Sequence, residues 1–263
     1  MAVWIGTSGW QYRDWHGTFY RPETPVRAWL EAYAAGFATV ESNNAFYRLP
    51  ERRTFEEWAR RTPDDFVMAV KVSRFLTHIK RLADPEEPVR RFVDRVAGLG
   101  PKLGPVLLQL PPHFRLNADR LRATLDHFPA AMRVAVEFRH ASWFTDEVRG
   151  ILTDRSVALC LADRRGVLTP FWRTADWTYV RFHEGRAHPR PCYGRAALAT
   201  WADRLAEQWV PTEDCFVYFN NDPRGCAPRD AARFASNVAR VGLRPTRVPT
   251  VRSIRVREDG VAR

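Results

Sequence analysis

Lysine is almost missing from this strongly basic chain. Of its 41 lysines and arginines, only Lys71, Lys80 and Lys102 are lysines, and against 30 acidic residues the balance leaves a net charge of +11. A skew this complete is better explained by genome-wide codon usage than by a surface selected for phosphate. The charge alone therefore does not define a nucleic-acid footprint, although its field draws in anions of any kind. Cysteine is sparse as well. Cys160, Cys192, Cys215 and Cys226 are scattered, with no C-x-x-C pair and no finger-like histidine spacing. That pattern gives no support to a structural zinc and leads us to expect reduced thiols in a cytoplasmic chain. No apolar run of about 18 residues is present, so no membrane span is expected. The N-terminus enters an apolar strand at once, without a basic region or a small-residue cleavage site, which argues against a signal peptide. There is no Gly/Ser-rich linker, no low-complexity tract and no repeat beyond a strand–helix unit. Gly6-Thr-Ser-Gly9 matches neither a Walker loop nor a dinucleotide fingerprint, so no cofactor is expected.

What is present is a regular alternation. Eight apolar, β-branched runs recur at Val3–Thr7, Thr39–Asn43, Phe66–Val72, Val106–Leu110, Val134–Phe138, Val157–Asp163, Thr178–His183 and Cys215–Asn220. Helical periodicity lies between them, as in Val89–Val96, Arg120–Leu125 and Ala196–Trp209. Asp119 reads as one cap, and Ser142 or Thr145 as another. Strict strand–helix alternation predicts a parallel sheet with helices outside it. Eight units within 263 residues predict a single (β/α)8 barrel of TIM type, an α/β fold. The sixth connection, Arg164–Trp177, is expected to be irregular. We expect the barrel to occupy residues 1–243, with 244–263 a basic tail at the surface or partly ordered.

In such barrels, ligands bind at the C-terminal strand ends. Here most strands end in polar residues that an apolar run does not require: Glu41 and Asn43, Lys71, Gln109, Glu137 and Arg139, Asp163, Arg181 and His183, then Asn220, Asn221 and Asp222. The two-residue period puts Glu41 with Asn43, Glu137 with Arg139, and Arg181 with His183 on one face of their strands. Seven strands behaving alike indicate a polar site, whose acids and bases could equally serve as structural ion pairs. We take Glu41, Lys71, Glu137, Asp163 and His183 as candidate acids, bases or nucleophiles. Lys71 is the sharpest of these, because burial can tune a lysine toward neutrality; a counter-ion role for Glu41 is its plain alternative.

Candidate binding residues are Ser8, Trp10, Tyr12, Asn43, Tyr47, His78, Gln109, Arg139, Trp143, Arg181, Asn220, Asn221 and Asp222. The aromatics could stack a sugar or base, or simply pack loops. The strand-one turn could cradle an anion with its amides. Fixed cations among the acids disfavour a divalent ion, so no metal is assigned. These features are read as an enzyme acting by acid/base chemistry on a small anionic, phosphate-containing substrate, with hydrolase, lyase and isomerase classes all open. Nucleic-acid binding or processing and a non-catalytic barrel are the alternatives.

At the same residues the chain resembles a known family. Gly6-Thr-Ser-Gly-Trp10, Val40-Glu-Ser-Asn-Asn-Ala-Phe-Tyr47, Lys71 with Thr77-His78, Leu108-Gln-Leu-Pro-Pro112, Val136-Glu-Phe-Arg-His-Ala-Ser-Trp143 and Tyr218-Phe-Asn-Asn-Asp222 are similar to the YecE-like proteins, domain-of-unknown-function family 72. The resemblance runs from the first strand past the eighth. It implies a TIM-type barrel from a bacterial or archaeal cytoplasm, and no settled activity. One departure is visible: His183 is followed by Glu184, where the resemblance implies glycine.

Overall fold

The computed structural model describes residues 2–165, 169–209 and 213–257. All eight predicted strands form, as β1 (Val3–Thr7), β2 (Thr39–Ser42), β3 (Val67–Lys71), β4 (Leu103–Gln109), β5 (Val134–Glu137), β6 (Ala158–Asp163), β7 (Thr178–Phe182) and β8 (Cys215–Phe219). The helices are α1 (Trp29–Gly36), α2 (Asn44–Tyr47), α3 (Arg52–Arg60), α4 (Glu86–Val96), α5 (Ala118–Asp126), α6 (Asp146–Asp154), α7 (Arg195–Gln208) and α8 (Cys226–Arg240). The sheet order β1-β8-β7-β6-β5-β4-β3-β2 follows the chain, and an isolated parallel bridge from Ser8 to Glu41 sets β2 beside β1 as well. This is the α/β fold of a TIM-type barrel. The sixth connection contains no helix among its described residues, and 166–168 lie outside them.

Two units emerge from the packing: Met1–Glu41 with Thr62–Phe66 and Val180–Arg263, and Ser42–Arg61 with Val67–Tyr179. In the first unit β1 and β8 run parallel in register, Val3 opposite Cys215 and Thr7 opposite Phe219. Strand alternation turns Phe182 outward onto Trp201 of α7 and Phe234 of α8, which leaves Arg181 on the opposite face. In the second unit Gln109 of β4 pairs with Glu137 of β5, putting two buried polar side chains at adjacent strand ends. Helix α4 buries Val89, Phe92 and Val96, a stripe at helical spacing. Each such buried side chain contributes roughly 1.5–3 kcal/mol.

The structure departs from the sequence reading at several points. Strand β4 starts earlier than its apolar run, at Leu103, because Gly104 and Pro105 lack the signature of a strand although they lie within one. The pairing register with β3 shifts there, as expected where proline removes a ladder donor. The cap of α5 is Asn117, which accepts from Arg120 N at 2.9 Å, rather than Asp119, which sits inside the first turn. Thr145 caps α6, accepting from Val148 N at 3.3 Å. The expectation of four reduced thiols fails: Cys192 and Cys226 form a disulfide, with Cα atoms 4.9 Å apart although 34 residues separate them. Cys160 and Cys215 are free and buried.

From Arg244 the chain runs back along the first unit. Val3 N donates to Arg244 O, Thr246 N to Val3 O and Arg255 N to Thr18 O, while Arg247 pairs with Asp65. The last residues of the tail, 258–263, lie outside the described part. No helix among the described residues is long and apolar enough to cross a membrane.

Close approach explains one glycine. A Cβ on Gly6 would lie 2.3 Å from the carbonyl oxygen of Thr39, where β1 passes β2. Gly6→Ala should therefore destabilise by at least about 1–3 kcal/mol, as overpacking against backbone does. Urea denaturation tests this, and a loss below about 0.5 kcal/mol would mean that the strands separate without strain.

Candidate active site

In the first unit the strand ends are organised by one buried ion pair. Arg181, 1% exposed, donates from Nη2 to Oε1 of the fully buried Glu41 at 2.8 Å. The same guanidinium reaches Ser8 Oγ at 3.4 Å and Asn220 Oδ1 at 3.5 Å, and its Nη1 lies 3.5 Å from His183 Nε2. Asn220 Nδ2 lies 3.2 Å from His183 Nδ1, so amide and imidazole orient each other. The pairing that two-residue spacing implied for Arg181 and His183 is thus realised as direct contact.

Asp222 stands beside this pair. Burial pushes its carboxyl up to about 7, with the Glu41 charge adding to the effect and Tyr12 and Arg181 opposing it. Tyr12 Oη donates to Ser8 O and also bonds the Asp222 side chain, a contact that favours the carboxylate and so opposes the effect of burial. Asp222 Oδ1 is buried without a hydrogen-bond partner. Burial also holds the Tyr12 phenol well above its ordinary range.

Other expected members of this set do different work. Asn221 turns away and donates to Pro191 O at 3.1 Å and Asp230 Oδ2 at 2.9 Å. Two amides of the strand-one turn are already engaged, Thr7 N donating to Tyr33 Oη and Ser8 N to Phe219 O. Trp10 is buried, and Trp15 packs among Tyr12, Phe19 and Tyr33 while its Nε1 donates to Asp222 O at 3.0 Å. Tyr33, not singled out from sequence, ties β1 to β2 through Thr7 and the Thr39 carbonyl. A lone tyrosine on an apolar helix carries no sequence signal for that role.

The second unit holds a different arrangement. Lys71 Nζ sits 3.9 Å from the Phe46 ring centroid, and the edge of His78 meets the same ring at 4.9 Å. His78 lies in a π-helical turn, Phe75–Ile79, and its Nδ1 is 2.8 Å from Thr77 Oγ1. Burial and then Lys71, Arg139 and Arg74 lower its pKa to about 4, with Glu137 opposing, so His78 is neutral at physiological pH. Glu137, fully buried, accepts from Arg139 Nε at 2.9 Å. Arg164 donates to Arg139 O at 3.0 Å, and burial plus the Arg139 charge lower its pKa. Arg164 was missed from sequence, where its only signal is its position directly after the β6 end.

Gln109 is buried beside Glu137, Asp163 is half-buried at the end of β6, and Asn43 is half-buried ahead of α2. Trp143 is fully buried, stacked on Phe138 at 4.9 Å and donating to Phe114 O. Tyr47 is 72% exposed. A groove of about 650 Å³ on this unit is lined by Lys80, Arg90, Glu86 and Glu87 among others; its charges are mixed, and none of the strand-end residues takes part.

Parallel strands with polar, mutually bonded ends, alternating with helices, define an α/β barrel protein of TIM type. The chain belongs to the family described as "Protein of unknown function DUF72", whose model matches residues 4–252. It is similar to the YunF protein of Bacillus subtilis, 27% identical over 86% of this chain and 90% of that one. It is also similar to YecE of Escherichia coli, 31% identical over 54% of this chain and 50% of that one. Among solved structures, a DUF72 family protein from Thermotoga maritima superposes with a TM-score of 0.79. It is 28% identical, and the match covers 91% of this chain and all of that one. A DUF72 family protein from Enterococcus faecalis, 20% identical over 90% of this chain and 95% of that one, shares the fold with a TM-score of 0.74.

Proposed function

We propose that this protein is an enzyme that binds a small anionic, phosphate-bearing substrate and moves a proton on it. The carrying observation is the cluster of cations at the strand ends of the second unit, Lys71, Arg139 and Arg164, set among the acids Glu137 and Asp163. Lys71 and Arg139 both act on His78, Arg139 also acts on Arg164, and the Glu137 carboxylate opposes these effects. Cations that repel one another in a partly buried place are stabilised by an incoming anion. Arginine suits that task because its planar fork matches phosphate oxygens. In this reading Arg139 and Arg164 hold the anion, Lys71 polarises or stabilises developing negative charge, and neutral His78 accepts or relays a proton. Glu137 keeps Arg139 aimed. In the first unit, Asp222 is the group suited to proton exchange near neutrality, with the Glu41–Arg181 pair setting its environment and His183 beside that pair. Hydrolysis, elimination and isomerisation all use such groups, and the reading commits to none of them.

A thermal-shift screen against sugar phosphates, nucleotides and short oligonucleotides tests the reading. A small phosphorylated ligand at about a hundred times its dissociation constant should stabilise by roughly 2.7 kcal/mol. Arg139→Ala and Lys71→Ala should each remove that stabilisation in a protein that still unfolds cooperatively. A second reading, single-stranded nucleic acid, is favoured by exposed Tyr47 and partly exposed Phe75 on the same unit as the cations. Stabilisation by oligonucleotides alone, fading as salt rises, would select it and sink the small-substrate reading.

A further inference from the structure

We infer that Cys192–Cys226 is a reversible redox site, opened by a dithiol reductant, whose state decides whether the loop between β7 and α7 stays fastened beside the first unit's strand ends. The loop spans 184–193 and has no helix or strand. Arg186, His188 and Arg190 are exposed along it, whereas Cys192 and Cys226 are fully buried. Cys226 is the first residue of α8, so the bond joins the end of the loop to a helix start.

Apart from that bond, the buried Tyr193 ring packs on Phe182 at 5.1 Å and on Phe219 at 6.1 Å at the end of the loop, and polar contacts hold the rest down. Tyr193 N donates to Asp230 Oδ2 at 2.7 Å, Asn221 Nδ2 donates to Pro191 O, and Glu184 N donates to Tyr193 Oη at 3.2 Å. Turns within the loop, Gly185 N to Pro191 O and Ala187 N to Cys192 O, close it on itself without tying it to the body. Its position links it to the site. The loop begins directly after His183, which touches Arg181 and Asn220. Asn221, which grips Pro191, lies between Asn220 and Asp222 in the chain. Slackening at Cys192 therefore acts on both strand ends at once.

Exchange at this bond is chemically complete with one dithiol. A reductant thiolate attacks one sulfur, and the other cysteine leaves as a thiolate and takes a proton. The reductant's second thiolate then attacks its own first sulfur in the mixed disulfide and expels the remaining cysteine as a thiolate, which takes a proton, so that the dithiol is oxidised to its own disulfide and both cysteines end as thiols. Burial raises the Cys215 thiol far above its ordinary range, which keeps it protonated and a poor internal competitor. Because both bonded residues are buried, a reductant reaches them only when the loop opens, so redox state and loop order are coupled. In a reducing compartment such bonds are transient and regulatory rather than permanent.

The experiment titrates the purified full-length chain with oxidised and reduced dithiothreitol, maps thiols by differential alkylation and follows limited trypsin cleavage after Arg186. Cys192 and Cys226 should become alkylatable together while the circular dichroism stays native. Cleavage after Arg186 should then quicken at least about tenfold, as a more populated open state requires, and re-oxidation should reverse it. Cys192→Ser should behave like the reduced protein; the reduced wild type provides the same test should that variant not fold. Thiols appearing only as the chain unfolds, or cleavage after Arg186 unchanged on native reduction, would overturn the proposal and leave the bond a permanent staple.

Discussion

Glu41→Ala is expected to cost about 3–5 kcal/mol, because it leaves a buried guanidinium without its carboxylate. For a chain of this size that corresponds to a fall in Tm of roughly 10 °C. The magnitude follows from burial. Arg181 and Glu41 are 1% and 0% exposed, so water cannot take over the lost partner. Arg52 and Glu56, each 52% exposed, form the contrasting case, and Glu56→Ala should change stability by no more than about 0.5 kcal/mol. Replacing both buried partners together, Glu41→Leu with Arg181→Met, removes both desolvation costs and should be less damaging than Glu41→Ala alone. A double-mutant cycle in urea measures the coupling. A single Glu41→Ala variant losing less than about 1 kcal/mol would show that the pair is solvated and that Arg181 does not depend on it.

Stability should also depend on pH through Asp222. Its folded-state pKa of about 7 lies above the ordinary 3.8, so the native state binds its proton more tightly than the unfolded chain does. The resulting stabilisation is fully present below about 4 and is lost as pH rises through about 7, a change of roughly 4 kcal/mol. His78 acts in the opposite sense. Its pKa is lowered from 6.5 to about 4, so its contribution is present above 6.5 and is lost as pH falls toward 4. Across pH 4 to 6.5 the two partly cancel in the wild type. Asp222→Asn removes the falling limb and should raise stability at pH 8, since asparagine carries no charge to bury. His78→Gln should make the wild-type fall steeper. Urea denaturation at intervals from pH 4 to 8 separates them, and an Asp222→Asn profile parallel to wild type would rule out a protonated Asp222.

Much of this was legible in the residues themselves. The apolar runs marked all eight strands because side chains buried on both faces of a parallel strand must be apolar, and the polar residue ending seven of the runs broke that rule conspicuously. Two-residue spacing placed Arg181 and His183 on one face and Phe182 on the other, and the structure keeps both. Boundaries were less legible wherever proline or glycine lay inside an element, as at Gly104-Pro105. Local sequence could not choose between Asn117 and Asp119 as a cap, since either side chain can accept from a helix N-terminus.

The amino-acid order alone determined the fold class, the strand ends and the kinds of group gathered there, because periodicity and residue chemistry are local properties. It could not pair those groups. That Glu41 meets Arg181 across 140 positions, that Cys192 reaches Cys226, that Trp143 is sealed inside while Tyr47 is bare, and that burial raises the Asp222 carboxyl were decided only by the tertiary structure. Coulomb energy and desolvation depend on distance and burial, and folding alone sets both.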